Sequence, residues 1–429
     1  MERERLLAIA PHIIRPLEFV LPHARHLRPA WLIRAGLFLY DHLACRNRLP
    51  RSRAISLADH PAGRTLLPEY RRGFIYADCR ADDSRLVVLN ALDAAARGAR
   101  ILPRTKLLRA RPESGLWYAE TEAGPIVARA LVNAAGPWVA ELLAASLGRN
   151  TQKSVRLVKG SHIVVPRLYE GRHAFILQNE DGRIVFVIPY EQRFSLIGTT
   201  DIPFDGDPSE VAISPDEATY LCASVNRYFR AKISPAEMVW SYAGVRPLFD
   251  DHAKEAKAVT REYVLDLEHA SETPPLLSVF GGKITTYRRL AEHALAKLLP
   301  ALGRPIGRSW TASAPLPGGD FSDFDTALAD FRARHASLPA ATARRLFSAY
   351  GTRAERIARP NMGAQMGADL GGGLTEAEID YLVSEEWAVT AEDILWRRSK
   401  LGLHVPPDTA TKLAAYLARM NEAAASVRR

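Results

Sequence analysis

Cysteine is scarce in this chain of 429 residues: Cys45, Cys79 and Cys222 are three in number and far apart. An odd, dispersed set excludes a disulfide framework and thiolate metal sites built on close pairs, and it fits buried free thiols in a reducing compartment. Long apolar runs are missing as well. No stretch approaches the roughly 18 residues that a membrane-spanning helix needs. The opening, MERERLLAIAPHIIRP, has a short, broken apolar segment and no cleavage site, so a signal peptide is not expected and a cytoplasmic protein is. Blocks of like charge are absent. The 57 basic and 48 acidic residues leave a net +9 spread along the chain, which suits an anionic substrate or an anionic membrane surface. Without a basic run interleaved with aromatics, no nucleic-acid partner is expected. No metal is expected either, since no residues stand at ligand spacing.

What is present begins with a core. The chain is 47% hydrophobic and 24% charged, ordinary values for a globular protein of two or three domains. Its most informative stretch is LLSVFGGKITTYRRLAEHALAKL, residues 276–298. Residues 276–280 read as a buried strand, Gly281-Gly282 break it, and Ile284, Tyr287, Ala291, Ala294 and Leu298 recur at the spacing of a helix with one buried face. Lys283 falls at the turn, where first-turn N–H groups lack partners. Glycines that let a ligand approach, free N–H groups and a lysine favour negative charge. An ordinary strand–helix joint with a solvated lysine fits the same residues.

Residues 1–50 open as a helix interrupted by Pro11 and Pro16. They then become basic and aromatic, with Trp31, Leu32, Ile33, Leu37, Phe38, Leu39 and Tyr40 among Arg25, Arg28, Arg34, Arg46 and Arg48. Such a segment is a helix packed on a core, the commoner case, or a helix lying on a membrane interface. Residues 72–79 read as a strand, with Asp82 to Ser84 capping the helix that follows and Gly98 stopping it. Short strands are expected at Leu107-Leu108 and Leu116-Trp117, with turns at 113–115 and at Gly124-Pro125. An apolar strand over 130–133 ends in Ala134, Ala135 and Gly136, which suits either a backbone pressed on a ligand or a plain strand end. Residues 155–166, 174–178, 183–189 and 194–199 read as an antiparallel meander in a second, inserted domain. Ser214 with Glu217, Ser234 with Glu237 and Thr375 with Glu378 have capping-box spacing. Strands return at 239–247 and 259–267. A Pro-, Gly- and Ser-rich linker at 309–320 precedes a helical remainder.

Residues 277–295 (LSVFGGKITTYRRLAEHAL) resemble the carboxy-terminal flavin-contacting segment of the FAD-dependent glycerol-3-phosphate dehydrogenases. Four more stretches resemble that family, in its order: 21–43 (LPHARHLRPAWLIRAGLFLYDHL), 158–166 (VKGSHIVVP), 183–208 (RIVFVIPYEQRFSLIGTTDIPFDGDP) and 242–251 (YAGVRPLFDD). The resemblance implies an α/β plus α chain. Its fold would be that of an FAD-dependent oxidoreductase of the D-amino-acid-oxidase and glycine-oxidase kind, with an antiparallel-sheet substrate domain and a helical C-terminal domain. Residues 1–150 would be the remainder of the FAD-binding domain, 151–257 the substrate-domain sheet, 258–308 a return to the FAD-binding domain and 309–429 the helical domain. It implies FAD as cofactor, sn-glycerol 3-phosphate as substrate, a membrane quinone as electron acceptor and a peripheral place on the cytoplasmic membrane; a homodimer is left open. One part of the family pattern is missing. No strand–G-x-G-x-x-G–helix unit occurs, and Met1 falls beyond it and beyond an Arg-Tyr pair that the family has at its substrate site. The first Rossmann βαβ unit is therefore expected to be missing, and such a chain is expected to bind FAD poorly, to lack dehydrogenase activity and to expose apolar strand edges.

Site roles carry over residue by residue. Arg246 would hold the phosphate, His162 would accept the proton of the C2 hydroxyl, and Thr199 would hydrogen-bond the substrate. Lys283 would act near that hydroxyl oxygen or near the flavin pyrimidine. Ala134, Ala135, Gly136, Gly281, Gly282 and Lys283 would line the cofactor. Read without the resemblance, Arg246 fits a surface ion pair and His162 a core group. Two further readings stand beside this one: a related flavoenzyme acting on an amino or hydroxy acid, and a non-catalytic remnant.

Overall fold

A computed structural model describes residues 2–42, 49–149, 151, 153–250, 262–270, 273–358 and 366–427, leaving aside the side chains of 199, 200 and 424–427. In chain order the strands are β1 (Ile14–Pro22), β2 (Arg53–Ser56), β3 (Arg72–Ala81), β4 (Leu107–Glu113), β5 (Leu116–Thr121), β6 (Gly124–Ala128), β7 (Leu131–Asn133), β8 (Val155–Pro166), β9 (Ala174–Gln178), β10 (Ile184–Tyr190), β11 (Phe194–Pro203), β12 (Trp240–Phe249), β13 (Val264–Ala270) and β14 (Thr273–Phe280). The helices are α1 (Glu2–Ile9), α2 (Ala30–His42), α3 (Asp83–Ala96), the single turn α4 (Val139–Glu141), α5 (Pro215–Tyr228), α6 (Tyr287–Ala301), α7 (Phe324–Arg334), α8 (Ala340–Tyr350), α9 (Glu376–Glu386) and α10 (Thr409–Val427). They gather into two compact units, one of Met1–Pro16, Asp78–Pro103 and Ala312–Arg429, the other of Leu17–Ala77 and Arg104–Thr311. These bounds cut across the expected sequence-order division, because segments far apart in the chain share a core. Cys222 is buried and Cys79 half-buried, both as free thiols; Cys45, Arg46 and Arg48 lie outside the described residues.

In the second unit the main sheet runs β12-β8-β11-β10-β9-β1-β3-β2. Neighbours from β12 to β9 are antiparallel, and β1 joins β9 in parallel. The meander is thus one part of a larger sheet. At residues 14–22 the expected broken helix is replaced by a strand. Pairing satisfies backbone groups on the edge of β9, and prolines that break a helix are tolerated near a strand's ends. Side chains alternate across the pleat. Ile163, Val165, Phe175, Leu177, Val185, Val187 and Ile197 make one face, on which α5 lays Leu221, Cys222 and Val225. α5 begins at Ser214 with both capping-box hydrogen bonds formed and Pro215 in its first turn. Each such apolar side chain contributes about 1.5–3 kcal/mol on burial.

Two smaller sheets complete this unit. β4, β5 and β6 form an antiparallel meander, whose first turn uses Ser114 and Gly115 at φ of 49° and 77°, the backbone a two-residue hairpin demands. Gly124 and Pro125 open β6 instead of forming the second turn, which falls at 122–123. β14 lies antiparallel to β13 and parallel to β7. Trp117 is fully buried among Val139, Leu143, Leu276 and Phe280 and donates its indole N–H to Pro275 O at 3.0 Å. α6 departs from expectation. Of its expected buried face only Leu298 is buried, while Ile284 and Ala291 are exposed; Arg288 is its other buried side chain. Arg288 donates to Glu292 at 2.6 Å and to Thr311 at 2.9 Å, so polar pairing takes the place of an apolar stripe.

The first unit has a helical core of Phe331, Leu346, Phe347, Tyr350, Ile379, Leu382, Ile394 and Leu413. α3 begins at Asp82, whose carboxylate accepts the Arg85 N–H at 3.2 Å. The Arg85 guanidinium forks onto Glu386 at 2.5 and 2.8 Å, with both side chains buried. The capping box expected at Thr375 is not formed. Glu378 turns inward, where it accepts from Arg345 and from the Tyr350 hydroxyl, each at 2.7 Å; a charge-assisted fork in a buried site outcompetes a half-exposed cap.

Candidate active site

β7 and β14 are in parallel register at Asn133 and Ser278, so their carboxyl ends lie side by side. Both ends turn on glycine. Beyond β7, Ala134 and Ala135 lead to Gly136 at φ +57°, with open space where a Cβ would point. Buried Asn133 shapes that turn: its amide donates to Val139 O at 2.9 Å and its carbonyl accepts the Ala135 N–H at 3.3 Å. Beyond β14, Gly281 and Gly282 stand at φ +76° and +110°, a backbone that L side chains seldom adopt. A Cβ on Gly281 would press on Glu262 O and Phe249 N, each 3.2 Å away. Lys283 is exposed and caps the short 3-10 turn Ile284–Thr286. It is therefore not at the start of α6, as the spacing suggested, because the helix is delayed to Tyr287. In open sheets of this kind ligands bind beyond the carboxyl ends of the strands. Small side chains, close backbone approach and a lysine cation fit one side of a flat, electron-accepting cofactor. The glycine-rich cradle for a pyrophosphate is not among these residues.

The glycine turn adjoins a second cluster, since a Cβ on Gly281 would also lie 3.6 Å from Pro247 O on β12. Across β12, β8 and β11 three rows lie on the side of the sheet away from α5. They are Tyr242–His162–Gly198, then Gly244–Gly160–Thr200, then Arg246–Val158–Pro203. Four residues along a strand span about 13 Å. His162 and Arg246 therefore bound a stretch whose floor is a cross-strand pair of glycines. Arg246 is about half exposed and donates to the Asp201 carboxylate at 3.2 Å. Asp201 occupies a bulge between Thr200 and Ile202 at φ +91°. Such a backbone is costly for a non-glycine residue, and bulges re-aim side chains beside sites. Thr199 pairs with Ser161, one position off the His162 row; its side chain lies outside the described residues.

The structure thus brings His162, Arg246 and the 281–283 turn into one neighbourhood, and it adds Tyr242, Gly198, Gly160, Gly244 and Asp201. A signal for these was available. Gly160 and His162, like Tyr242, Gly244 and Arg246, recur at intervals of two, the period of a strand face. The spacing could not say which strands lie beside each other.

Residues 1–288 match the family model described as FAD dependent oxidoreductase, and residues 309–425 match the C-terminal domain of alpha-glycerophosphate oxidase. The chain is 53% identical over 423 residues to a glycerol-3-phosphate dehydrogenase of Pseudomonas aeruginosa, covering 97% of this chain and 82% of that one. It is 45% identical over 432 residues to a D-erythritol 1-phosphate dehydrogenase of Brucella abortus, covering 97% and 84%. Among solved structures it is similar to the glycerol-3-phosphate dehydrogenase from Bacillus halodurans complexed with FAD, with a TM-score of 0.72, 25% identity and coverage of 93% of this chain and 76% of that one. By its own matched length and by these relatives, the chain belongs to the FAD dependent oxidoreductase family, in the branch that carries the alpha-glycerophosphate oxidase C-terminal domain.

Proposed function

We propose that this chain oxidises sn-glycerol 3-phosphate to dihydroxyacetone phosphate with FAD as its cofactor, against the weak FAD binding and inactivity expected from the missing glycine-rich unit. The observation that carries the reading is the His162–glycine–Arg246 face beside the two glycine turns. Arg246 holds the phosphate through parallel N–H donors. The Gly160–Gly244 pair leaves the space above it to the three-carbon backbone. His162 takes the proton of the C2 hydroxyl, because a neutral imidazole keeps one ring nitrogen as an acceptor. Thr199 takes no substrate contact in this reading, because its register with Ser161 sets it one position off the His162 row. FAD, when bound, supplies the acceptor for the C2 hydride. Ala134, Ala135, Gly136, Gly281 and Gly282 line it closely, and Lys283 sets a positive charge where negative charge accumulates. In this reading residues 1–150 and 258–308 serve the cofactor, 151–257 the substrate, and a membrane quinone takes the electrons. A relative named for D-erythritol 1-phosphate has a phosphate in common with glycerol 3-phosphate, so Arg246 would serve either substrate and other residues would select the polyol.

The protein sits peripherally on the cytoplasmic membrane through α2. No helix among the described residues is long and apolar enough to cross a membrane, whereas α2 carries large exposed apolar side chains beside exposed Arg25 and Arg28.

Turnover with added FAD and an artificial acceptor tests the substrate. Arg246→Ala should lower kcat/KM for glycerol 3-phosphate by roughly 30- to several-thousand-fold, the loss of about 2–5 kcal/mol from a desolvated charge contact. Glycerol 3-phosphate should also protect the parent from thermal unfolding, and that protection should vanish in the variant. Kinetics and protection unchanged by the substitution would refute the assignment.

A further inference from the structure

The ring of His162 lies in a slot made by its two strand neighbours. In register, His162 of β8 stands between Gly198 of β11 and Tyr242 of β12. The imidazole and the Tyr242 ring are stacked, with centroids 4.9 Å apart and planes within 6°. Trp240, two residues earlier on the same strand, lies tilted by 38° against Tyr242, with ring centroids 5.2 Å apart. On the other side the imidazole edge lies over the Cα of Gly198. A Cβ there would overlap the ring edge at Cδ2 and Nε2 and lie 2.6 Å from Cγ. Only hydrogen fits beneath it.

β8 is also held from the opposite face. Glu217, in the first turn of α5, accepts from Lys159 Nζ at 2.7 Å, Ser161 Oγ at 2.7 Å and Ser214 N at 2.8 Å. Lys159 and Ser161 flank Gly160 and immediately precede His162. The strand therefore has little freedom to slide when the slot above it is altered, and a clash falls on the imidazole.

We propose that Tyr242 and Gly198 are positioning residues that set the orientation of the His162 ring toward the substrate hydroxyl. The inference rests on the reading of His162 as the proton acceptor. A proton acceptor must hold its nitrogen within hydrogen-bond reach of the hydroxyl, and a misplacement of about 1 Å can cost on the order of 100-fold. A flat aromatic wall on one side and a bare Cα on the other remove the ring's rotational alternatives.

The test has two arms. In NMR spectra of the isotope-labelled protein, the ring protons of His162 should appear upfield from the Tyr242 ring current. The shift should disappear in Tyr242→Ala, return in Tyr242→Phe, and move in Gly198→Ala. In turnover, Tyr242→Ala and Gly198→Ala should lower kcat by about 10- to 100-fold with KM within a factor of about 3, and Tyr242→Phe should recover most of the loss. His162→Gln separates the two claims. If it leaves kcat unchanged, the reading of His162 as proton acceptor is overturned. If it abolishes turnover while Tyr242→Ala and Gly198→Ala change neither the His162 resonances nor kcat, the slot has no positioning role and this inference is overturned.

Discussion

His12 shows how strongly one buried group can tie stability to pH. Both its ring nitrogens are buried without a hydrogen-bond partner among the described residues, and the ring of Phe321 lies tilted against it, 6.3 Å away. Burial first, and the charges of Arg85 and Arg15 after it, lower its pKa from 6.5 to about 3. The folded state therefore keeps His12 neutral where the unfolded chain binds a proton. Its contribution is fully present above the unfolded value of 6.5 and is lost as pH falls toward 3. Between pH 7.5 and 5 the parent should lose about 2 kcal/mol more than His12→Leu, because each pH step of one below the unfolded value removes about 1.36 kcal/mol. Urea unfolding of both proteins at the two pH values measures the difference, and equal losses would sink the prediction. His12 had no motif around it in the sequence. Apart from Arg15, its constraint comes from Arg85 and Phe321, more than seventy positions away, and no local pattern encodes that.

At the scale of elements, the Arg85–Glu386 fork joins α3 to the end of α9. Its cation also lies over the Tyr350 ring, 4.8 Å from the centroid. Burial by itself would destabilise the guanidinium charge, yet the Glu386 carboxylate more than offsets this and holds the Arg85 pKa above its ordinary value. Removing one partner leaves the other buried and unpaired. Glu386→Ala should cost about 3–5 kcal/mol, and adding Arg85→Met to it should recover most of that loss. Thermal denaturation of the single and double variants reads both effects; a double variant no more stable than the single would show that the cost lies in lost packing. The caps in the same chain show how far local rules reach. Ser214 with Glu217 formed the box its spacing predicts, with one carboxylate oxygen on Ser214 N and the other on Ser161 Oγ. Thr375 with Glu378, of identical spacing, did not, because Arg345 and Tyr350 claimed the carboxylate first.

On the scale of the whole molecule, α2 has a core-packed side and an exposed apolar side. Ala30, Ile33 and Leu37 pack against Leu21, Phe74 and Ile176, whereas Trp31, Phe38 and Leu39 are 71%, 53% and 58% exposed. A helix packed only on a core would turn polar residues outward, and an apolar outer face beside arginines is the signature of an interfacial helix. The protein should co-sediment with vesicles containing anionic lipid more strongly than with purely zwitterionic ones. The double variant Trp31→Asp, Phe38→Asp should lose this binding while keeping its circular dichroism spectrum. Undiminished sedimentation of that variant would remove α2 from the membrane surface.

Family membership, the strand–glycine–helix order at 276–298, the meander and the α3 and α5 caps were legible in the sequence alone. Each rests on residues close together in the chain, where dihedral preference and period-two or helical spacing act directly. The candidate site was half legible. Lys283, His162 and Arg246 stood out by the resemblance, but Gly198, Gly160, Gly244 and Tyr242 acquire meaning only once β11, β8 and β12 are set in register. The tertiary structure likewise decided that β1 is a strand, that Arg288 replaces an apolar face on α6, and that Asp201 bulges toward Arg246. For β1 on the edge of β9, for Arg288 with Thr311 and for Asp201 with Arg246, the outcome turned on which distant group reached a shared edge, donor or carboxylate, a competition between residues that are neighbours only in the folded chain.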